Sequence, residues 1–146
     1  MHDHCDLDAM NALLRGELSA VETYDQAVGT FQQVSSGAEL HKIRDDHQQA
    51  ATALRERVSH FGGTPSEGSG AWAPFASAVT GAAEMIGPAA VLFALKKGEE
   101  HGINDYVSAL KNPDVNPECK ELIRADLLPK CEAHVAELDR IMAGAA

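Results

Sequence analysis

The sequence predicts an all-α fold, a four-helix bundle formed by a single domain over residues 1–146. Aromatic residues make up only 5% of the chain while alanine is abundant, and this composition suits packed helices better than a β-sandwich. Apolar positions recur in alternating steps of three and four residues along four long stretches, which is the spacing of a helix with one buried face. A chain of 146 residues is long enough for one such bundle around one core.

The first two helices are predicted at about 6–34 and 38–60. The segment SSG at 35–37 interrupts the pattern and offers a new N-cap, and FGGTP ends the second helix with glycine followed by proline. The stripes that would face the core are Met10, Leu14, Glu17, Val21, Tyr24, Val28 and Phe31 in the first helix, and Leu40, Ile43, His47, Ala51, Leu54 and Val58 in the second.

The third and fourth helices are predicted at about 88–111 and 117–143, with the turn NPDVNPE between them. Pro88 suits a first helical turn, whereas Pro129 is expected to kink the last helix because its ring removes a backbone donor. The core-facing stripes are Leu92, Leu95, Glu99, Ile103, Tyr106 and Leu110 in the third helix, and Leu127, Cys131, His134, Leu138 and Ile141 in the fourth.

The connection between the second and third helices is long, about 62–87, and rich in Gly, Ser and Ala. We expect it to carry one short extra helix. Two short turns and one long crossover predict the ferritin-like arrangement of a four-helix bundle, because an up-down-up-down bundle needs no such connection.

The charge of the chain limits the partners it can have. A net charge of −10 argues against nucleic acid and against an anionic membrane, since both would repel it. The three cysteines are odd in number and lack paired spacing, which favours a reducing compartment. The N-terminus lacks the pattern of a signal peptide, and no apolar run approaches the ~20 residues that span a bilayer. The sequence thus predicts a cytoplasmic protein, with metal ions as partners and self-association into a dimer left open.

Two stretches of ten residues repeat one pattern. RGELSAVETY at 15–24 and KGEEHGINDY at 97–106 both read basic residue, Gly, Glu, six residues, Tyr. The chain has only two tyrosines, and these are the two that end the repeats. A phenol about two turns beyond its own glutamate can hydrogen-bond a carboxylate on a facing helix and orient it. The repeat therefore indicates two related half-sites, although the tyrosines could also be core residues with a solvated hydroxyl.

Each predicted stripe has one polar residue near its middle: Glu17, His47, Glu99 and His134. Four converging stripes would bring two carboxylates and two imidazoles to one level of the core. Two buried carboxylates are costly unless a positive charge compensates them, and a divalent cation does so with neutral imidazole as co-ligand. The alternative is a metal-free network in which Glu, His and Tyr side chains satisfy one another.

Other side chains are weaker candidates for a metal. Cys131 precedes His134 by three residues and shares its face, and Glu137 follows His134 by three. The terminal HDHC at 2–5 has donors for zinc or copper, but it lies where chains fray. The remaining polar residues near the stripes are expected to be solvated, namely His41, Asp45, Asp46, His60 and His101.

Several stretches give the chain a resemblance to a family of uncharacterised bacterial ferritin-like proteins. They are NALLRGELSAVETYDQAV, FGGTP with GSGAWAPF, ALKKGEEHGINDY and LIRADLLPKCEAHVAELD. The wider superfamily places a Glu on the first and third helices and Glu-x-x-His on the second and fourth. The resemblance therefore implies Glu17 and Glu99 for the first set and His47 and His134 for the second, and it matches Tyr24 to the tyrosine that follows the first glutamate.

The chain departs from the superfamily's pattern at two positions. Where the bridging glutamates of a full di-iron site would stand, three residues before each histidine, the sequence has Arg44 and Cys131. Helical spacing still puts both positions on the face of the histidines. A site with two carboxylates neutralises less charge than one with four and holds a second metal less firmly.

Two functions remain open from the sequence. In the first, a mononuclear or dinuclear iron site, or a manganese site, reacts with oxygen or peroxide, with Tyr24 and Tyr106 orienting the carboxylates. In the second, a non-enzymatic stress or metal-sequestering protein has a core network that is structural or that binds zinc or copper. The two differ in the metal that the protein carries when it is purified without added metal.

Overall fold

The computed structural model describes residues 6–30, 36–68 and 88–145, and four helices packed together dominate it. The predicted all-α four-helix bundle is confirmed. Helices α1, α2 and α3 span Leu7–Thr30, Ser36–His60 and Pro88–Lys111. The fourth, α4, runs through three consecutive pieces, Pro117–Leu122, Ile123–Leu127 and Leu128–Ala145.

The predicted helix bounds differ from the observed ones by a few residues. The second helix starts at Ser36 rather than at 38, and the fourth continues to Ala145 rather than ending near 143. The predicted end of the first helix near 34 and the extra helix expected in the crossover fall on residues 31–35 and 69–87, outside the described part.

Local chemistry fixes the helix ends. The Asp6 carboxylate accepts a 2.9 Å hydrogen bond from the Ala9 amide and so caps α1. Helix α2 ends where expected, because Gly62 takes a left-handed conformation with φ 84° that costs glycine nothing. Asn116 caps α4 by accepting from the Glu118 amide at 2.8 Å, and Pro117 occupies the first turn.

A π-helical turn precedes Pro129, the residue at which a kink of the last helix is predicted. It covers Ile123–Leu127 and ends directly before the proline's own helical segment, with the Leu128 amide bonded to the Ile123 carbonyl. Proline has no N–H to donate, and its ring crowds the preceding turn. Single π-helical turns inside α-helices are rare and are frequent at functional sites.

The helices pack most extensively as two pairs, α1 with α2 and α3 with α4, and the pairs meet between α1 and α3. The apolar core forms two clusters, one around Leu14, Leu54 and Ile123 and the other around Leu40, Leu92 and Leu138. Along each helix the polar residue of the stripe falls between members of the two clusters. None of the helices described is long and apolar enough to cross a bilayer.

Candidate metal centre

The four polar residues of the stripes converge in the middle of the bundle. Their exposed fractions are 5% for Glu17, 2% for His47, 0% for Glu99 and 4% for His134. Donor atoms of His47, Glu99 and His134 lie within 4.8 Å of one another. In residues 6–30, 36–68 and 88–145 this is the one such group of His, Cys, Asp or Glu donors.

His47 lies between two carboxylates. Its Nδ1 is 2.7 Å from Oε2 of Glu17, and its Nε2 is 2.7 Å from Oε2 of Glu99. Burial by itself would lower the pKa of His47, but the charges of Glu99 and Glu17 outweigh it and hold the pKa well above its usual value. In the metal-free protein these surroundings favour the protonated form of His47, in which each ring nitrogen has a carboxylate within hydrogen-bond distance.

His134 also has an acidic group at each ring nitrogen. Its Nδ1 lies 3.2 Å from Oε1 of Glu99, and its Nε2 lies 2.9 Å from Oδ2 of Asp46. The expectation that Asp46 is solvated is wrong, since this half-buried side chain links α2 to α4. The spacing in the sequence indicates this position of Asp46. It is three residues after Ile43 and four before Ala50, so it lies on the same side of α2 as these two buried residues.

The tyrosines connect the two repeated stretches crosswise. Tyr24 on α1 donates to Oε2 of Glu99 on α3 at 2.5 Å, and Tyr106 on α3 donates to Oε1 of Glu17 on α1 at 2.8 Å. Burial raises the pKa of both phenols, and the neighbouring carboxylates raise it further, so each phenol keeps the proton it donates.

The two glutamates nevertheless have different surroundings. Glu99 contacts both histidines and Tyr24, whereas Glu17 contacts one histidine and Tyr106. Burial would raise the pKa of Glu99, yet His47 and His134 outweigh that effect and hold it well below the usual range. Glu99 is thus the centre of the cluster, and the pseudo-twofold of the repeat is only approximate.

The weaker candidates occupy three kinds of position. Cys131 is buried, and burial followed by the charges of Glu99 and Glu17 raises the pKa of its thiol. Glu137 lies at the surface, where both of its carboxylate oxygens accept hydrogen bonds from Arg140. Residues 2–5 lie outside the described part of the chain.

His41, His60 and His101 are largely exposed or at the edge of exposure, in agreement with the expectation from their spacing.

Arg44 does not share the face of His47 as helical spacing suggested. Its guanidinium bonds Asp25 at 2.9 Å and Asp45 at 3.3 Å at the surface. The core position on that turn belongs to Ile43, which is 3% exposed and lies four residues before His47. The positive charge of Arg44 is therefore satisfied away from the cluster.

The donor atoms of His47, Glu99 and His134, which lie within 4.8 Å of one another, are close to the spacing that a single metal ion needs. An ion with ligand bonds of about 2.0–2.2 Å holds neighbouring donor atoms about 3 Å apart. The two nitrogens that face Glu99 lie 2.7 and 3.2 Å from its oxygens. Small shifts of these three side chains would bring all three donor atoms to within about 2.0–2.2 Å of one ion, and the other ring nitrogens would keep their carboxylate partners.

Comparison with known proteins identifies the family and leaves its function open. The family described as a domain of unknown function (DUF2383) matches residues 6–112, which include α1, α2 and α3. The chain belongs to that family. No curated protein and no solved structure matches the chain.

Proposed function

We propose that this protein, a member of the DUF2383 family, binds one transition-metal ion in the bundle core through His47, Glu99 and His134. We further propose that the ion is iron and that the protein takes part in oxygen- or peroxide-linked redox chemistry. The proposal extends the ferritin-like resemblance to a site with fewer carboxylates than a di-iron centre.

The pattern around the two imidazoles supports this proposal most strongly. Each ring directs one nitrogen at Glu99 and the other at a second carboxylate, Glu17 for His47 and Asp46 for His134. Metal-binding histidines in proteins commonly donate the N–H of the non-ligating nitrogen to a carboxylate, which fixes the tautomer and the ring orientation. Two histidines with this arrangement around one shared carboxylate are what a preorganised metal site requires.

The donor set favours iron. Two histidines and one carboxylate with further positions left open are typical of non-haem ferrous centres. Manganese suits a carboxylate-rich set better, while zinc and copper accept the same donors and are the competing ions. A ferrous ion held there would supply one electron to oxygen or peroxide as it becomes ferric.

The remaining side chains prepare the site for such an ion. Tyr24 holds Oε2 of Glu99, and Glu17 and Asp46 hold the outer nitrogens of the histidines. We propose this orienting role for Glu17 in place of direct ligation, because its oxygens face Tyr106 and Nδ1 of His47 rather than His134. Complete burial of Glu99 and Tyr24 keeps bulk water away from the centre of the cluster.

A metal-free structural network is the second candidate function, and one observation favours it. His47 as an imidazolium between Glu17 and Glu99 already compensates both carboxylates without an ion. In that case the cluster would stabilise the bundle and have no role in metal binding.

Elemental analysis of protein purified without added metal distinguishes the metal site from the metal-free structural network. We expect about one iron per chain in the wild type and less than a tenth of that in Glu99→Gln. Glu100→Gln is the matched control, because Glu100 is the next residue along α3 and is 42% exposed. Wild-type protein without metal, which also fails to bind added ferrous ion, would leave the structural network as the function.

A further inference from the structure

A groove between α2 and α4 reaches the cluster from the surface. Its volume is about 310 Å³, and its wall includes the proposed ligand His134 and the partner of that histidine, Asp46. The other described wall residues also belong to these two helices, namely Glu39, Lys42, Ile43, Ala133 and Glu137. The proposed metal centre therefore adjoins an opening of this size at His134.

Burial increases from this groove to the centre of the cluster. The side chain of Asp46 is 26% exposed, that of His134 is 5% exposed and that of Glu99 is 0% exposed. Oδ2 of Asp46 lies 2.9 Å from Nε2 of His134, and Oε1 of Glu99 lies 3.2 Å from Nδ1 of the same ring. The imidazole of His134 thus lies between the groove and Glu99, with a carboxylate on either side.

The α2–α4 groove has a negative charge. Among its described wall residues, three are acidic and one is a lysine, which gives a formal charge of −2. The charge stays negative when Arg140 is counted, whose guanidinium bonds Glu137. Oε2 of Glu39 is shielded from solvent and has no hydrogen-bond partner among the described residues, while Oε1 lies 3.6 Å from Arg140. A shielded carboxylate oxygen without a donor is unfavourable unless a cation compensates it.

A second groove, between α1 and α3, has the same volume of about 310 Å³ but differs in charge. Its described charged wall residues are Arg15 and Asp105, so its formal charge is zero, and its described walls do not include His47, Glu99 or His134. The space that connects it to His47 is about 10 Å³, which holds at most one water. Of these two grooves, the one between α2 and α4 combines negative charge with direct contact to a proposed ligand.

We propose that the α2–α4 groove is the entrance through which a divalent cation reaches the metal centre. Asp46 binds the ion first, and the ring of His134 then turns and transfers it towards Glu99. The inference rests on the proposed function, because it supplies the route to that site. Clefts lined by charges of one sign concentrate the opposite ion and raise association rates by about 10–10³-fold.

Blocking the groove should slow metal binding without weakening it. Ala133 is an exposed wall residue, and we expect Ala133→Trp to slow Co²⁺ binding at least about tenfold in stopped-flow absorption measurements. Because the ion would leave by the same path, its release should slow by the same factor, and the affinity should stay unchanged. Ala12→Trp is the matched control, since Ala12 is an exposed wall residue of the α1–α3 groove.

Reversing a charge in the groove should have the opposite effect. Lys42→Glu makes the wall more negative, so we expect Co²⁺ binding to become at least about threefold faster at low ionic strength, with a smaller difference in high salt. Lys97→Glu is the control, because it makes the same change of charge at a lysine of α3 that is 49% exposed. Equal acceleration in both variants would mean that the overall charge of the protein, and not the groove, sets the rate.

The outcomes separate the entrance from the metal centre. Unchanged binding rates in Ala133→Trp, or a larger slowing in Ala12→Trp, would overturn the entrance even if the centre binds metal. Wild-type protein that binds neither Co²⁺ nor ferrous ion would overturn the metal centre itself.

Mn²⁺ tests the groove without the centre. In ¹⁵N-labelled Glu99→Gln, which lacks the central carboxylate, we expect Mn²⁺ to broaden the amide signals of residues 46, 133 and 134 more than those of residues 12, 105 and 109 in the α1–α3 groove. Equal broadening in the two grooves would show that the α2–α4 groove does not attract cations, whether or not the centre binds metal.

Discussion

Tyr24 on α1 donates a 2.5 Å hydrogen bond to Oε2 of Glu99 on α3, and both side chains are completely buried. The same oxygen lies 2.7 Å from Nε2 of His47. One phenol therefore fixes the carboxylate that faces both histidines. Tyr106 does the same for Glu17, one step further from the proposed ion.

Removing the hydroxyl of each tyrosine should show that the hydrogen bond of Tyr24 to Glu99 matters more for metal affinity than the hydrogen bond of Tyr106 to Glu17. We expect Tyr24→Phe to weaken ferrous-ion affinity by roughly 10–100-fold, the range for groups that orient a ligand. Tyr106→Phe should have a smaller effect, because Glu17 acts through His47. Anaerobic competition against a chelator measures both affinities. Equal affinities in the two variants and the wild type would make the tyrosines packing residues.

Asp46 provides a prediction with a close control. We expect Asp46→Asn to weaken metal affinity by roughly 10–100-fold, because Nε2 of His134 loses its carboxylate acceptor. Asp45→Asn should leave the affinity unchanged, since Asp45 is 48% exposed and contacts Arg44 and His41. The same competition assay applies. A loss of affinity in Asp45→Asn as large as in Asp46→Asn would point to general surface charge rather than to His134.

The ion pair between His47 and the glutamates predicts a pH dependence in metal-free protein. The pKa of His47 is raised above 6.5 on folding, so its contribution to stability is complete below about pH 6.5 and is lost as pH rises through the folded value. The pKa of Glu99 is lowered from 4.5, so its contribution is complete above about pH 4.5. The stability contributions of His47 and Glu99 are therefore both complete only between about pH 4.5 and about pH 6.5.

Urea unfolding at several pH values tests the predicted direction of this pH dependence. In the presence of a chelator, the stability difference between wild type and His47→Gln should be largest near pH 5–6 and shrink at alkaline pH. His60→Gln, at an exposed histidine of the same helix, is the control. A difference that grows with rising pH would mean that His47 is neutral in the metal-free fold.

Cys131 should not be a metal ligand. In the metal-free protein, burial and the nearby carboxylates raise the pKa of its thiol, and the donor group of His47, Glu99 and His134 contains no sulfur. We expect Cys131→Ala to keep its metal and the cobalt-substituted wild type to lack sulfur-to-metal charge-transfer absorption. Cys119→Ala, at the other buried cysteine of α4, controls for the loss of core volume. Charge-transfer absorption that disappears in Cys131→Ala alone would add sulfur to the site.

Helical periodicity was sufficient to predict the bundle and the convergence of four polar residues, because one polar side chain per stripe marks the same level on every helix. It could not predict which nitrogen of each histidine faces which carboxylate, since ring orientation depends on tertiary contacts. Asp46 was missed because an acidic residue at the edge of a stripe is usually solvated. Arg44 was misplaced because a position three residues from a core residue lies at the edge of the helix face, where a long side chain can reach the surface.

The most direct test of the metal site is an anomalous difference map at the iron edge, from crystals of protein loaded anaerobically with ferrous ion. We expect one peak per chain, at about 2.0–2.2 Å from Nε2 of His47, an oxygen of Glu99 and Nδ1 of His134. A peak at the N-terminal residues 2–5 alone, or the absence of any peak between these three side chains, would contradict a metal centre in the core of this bundle.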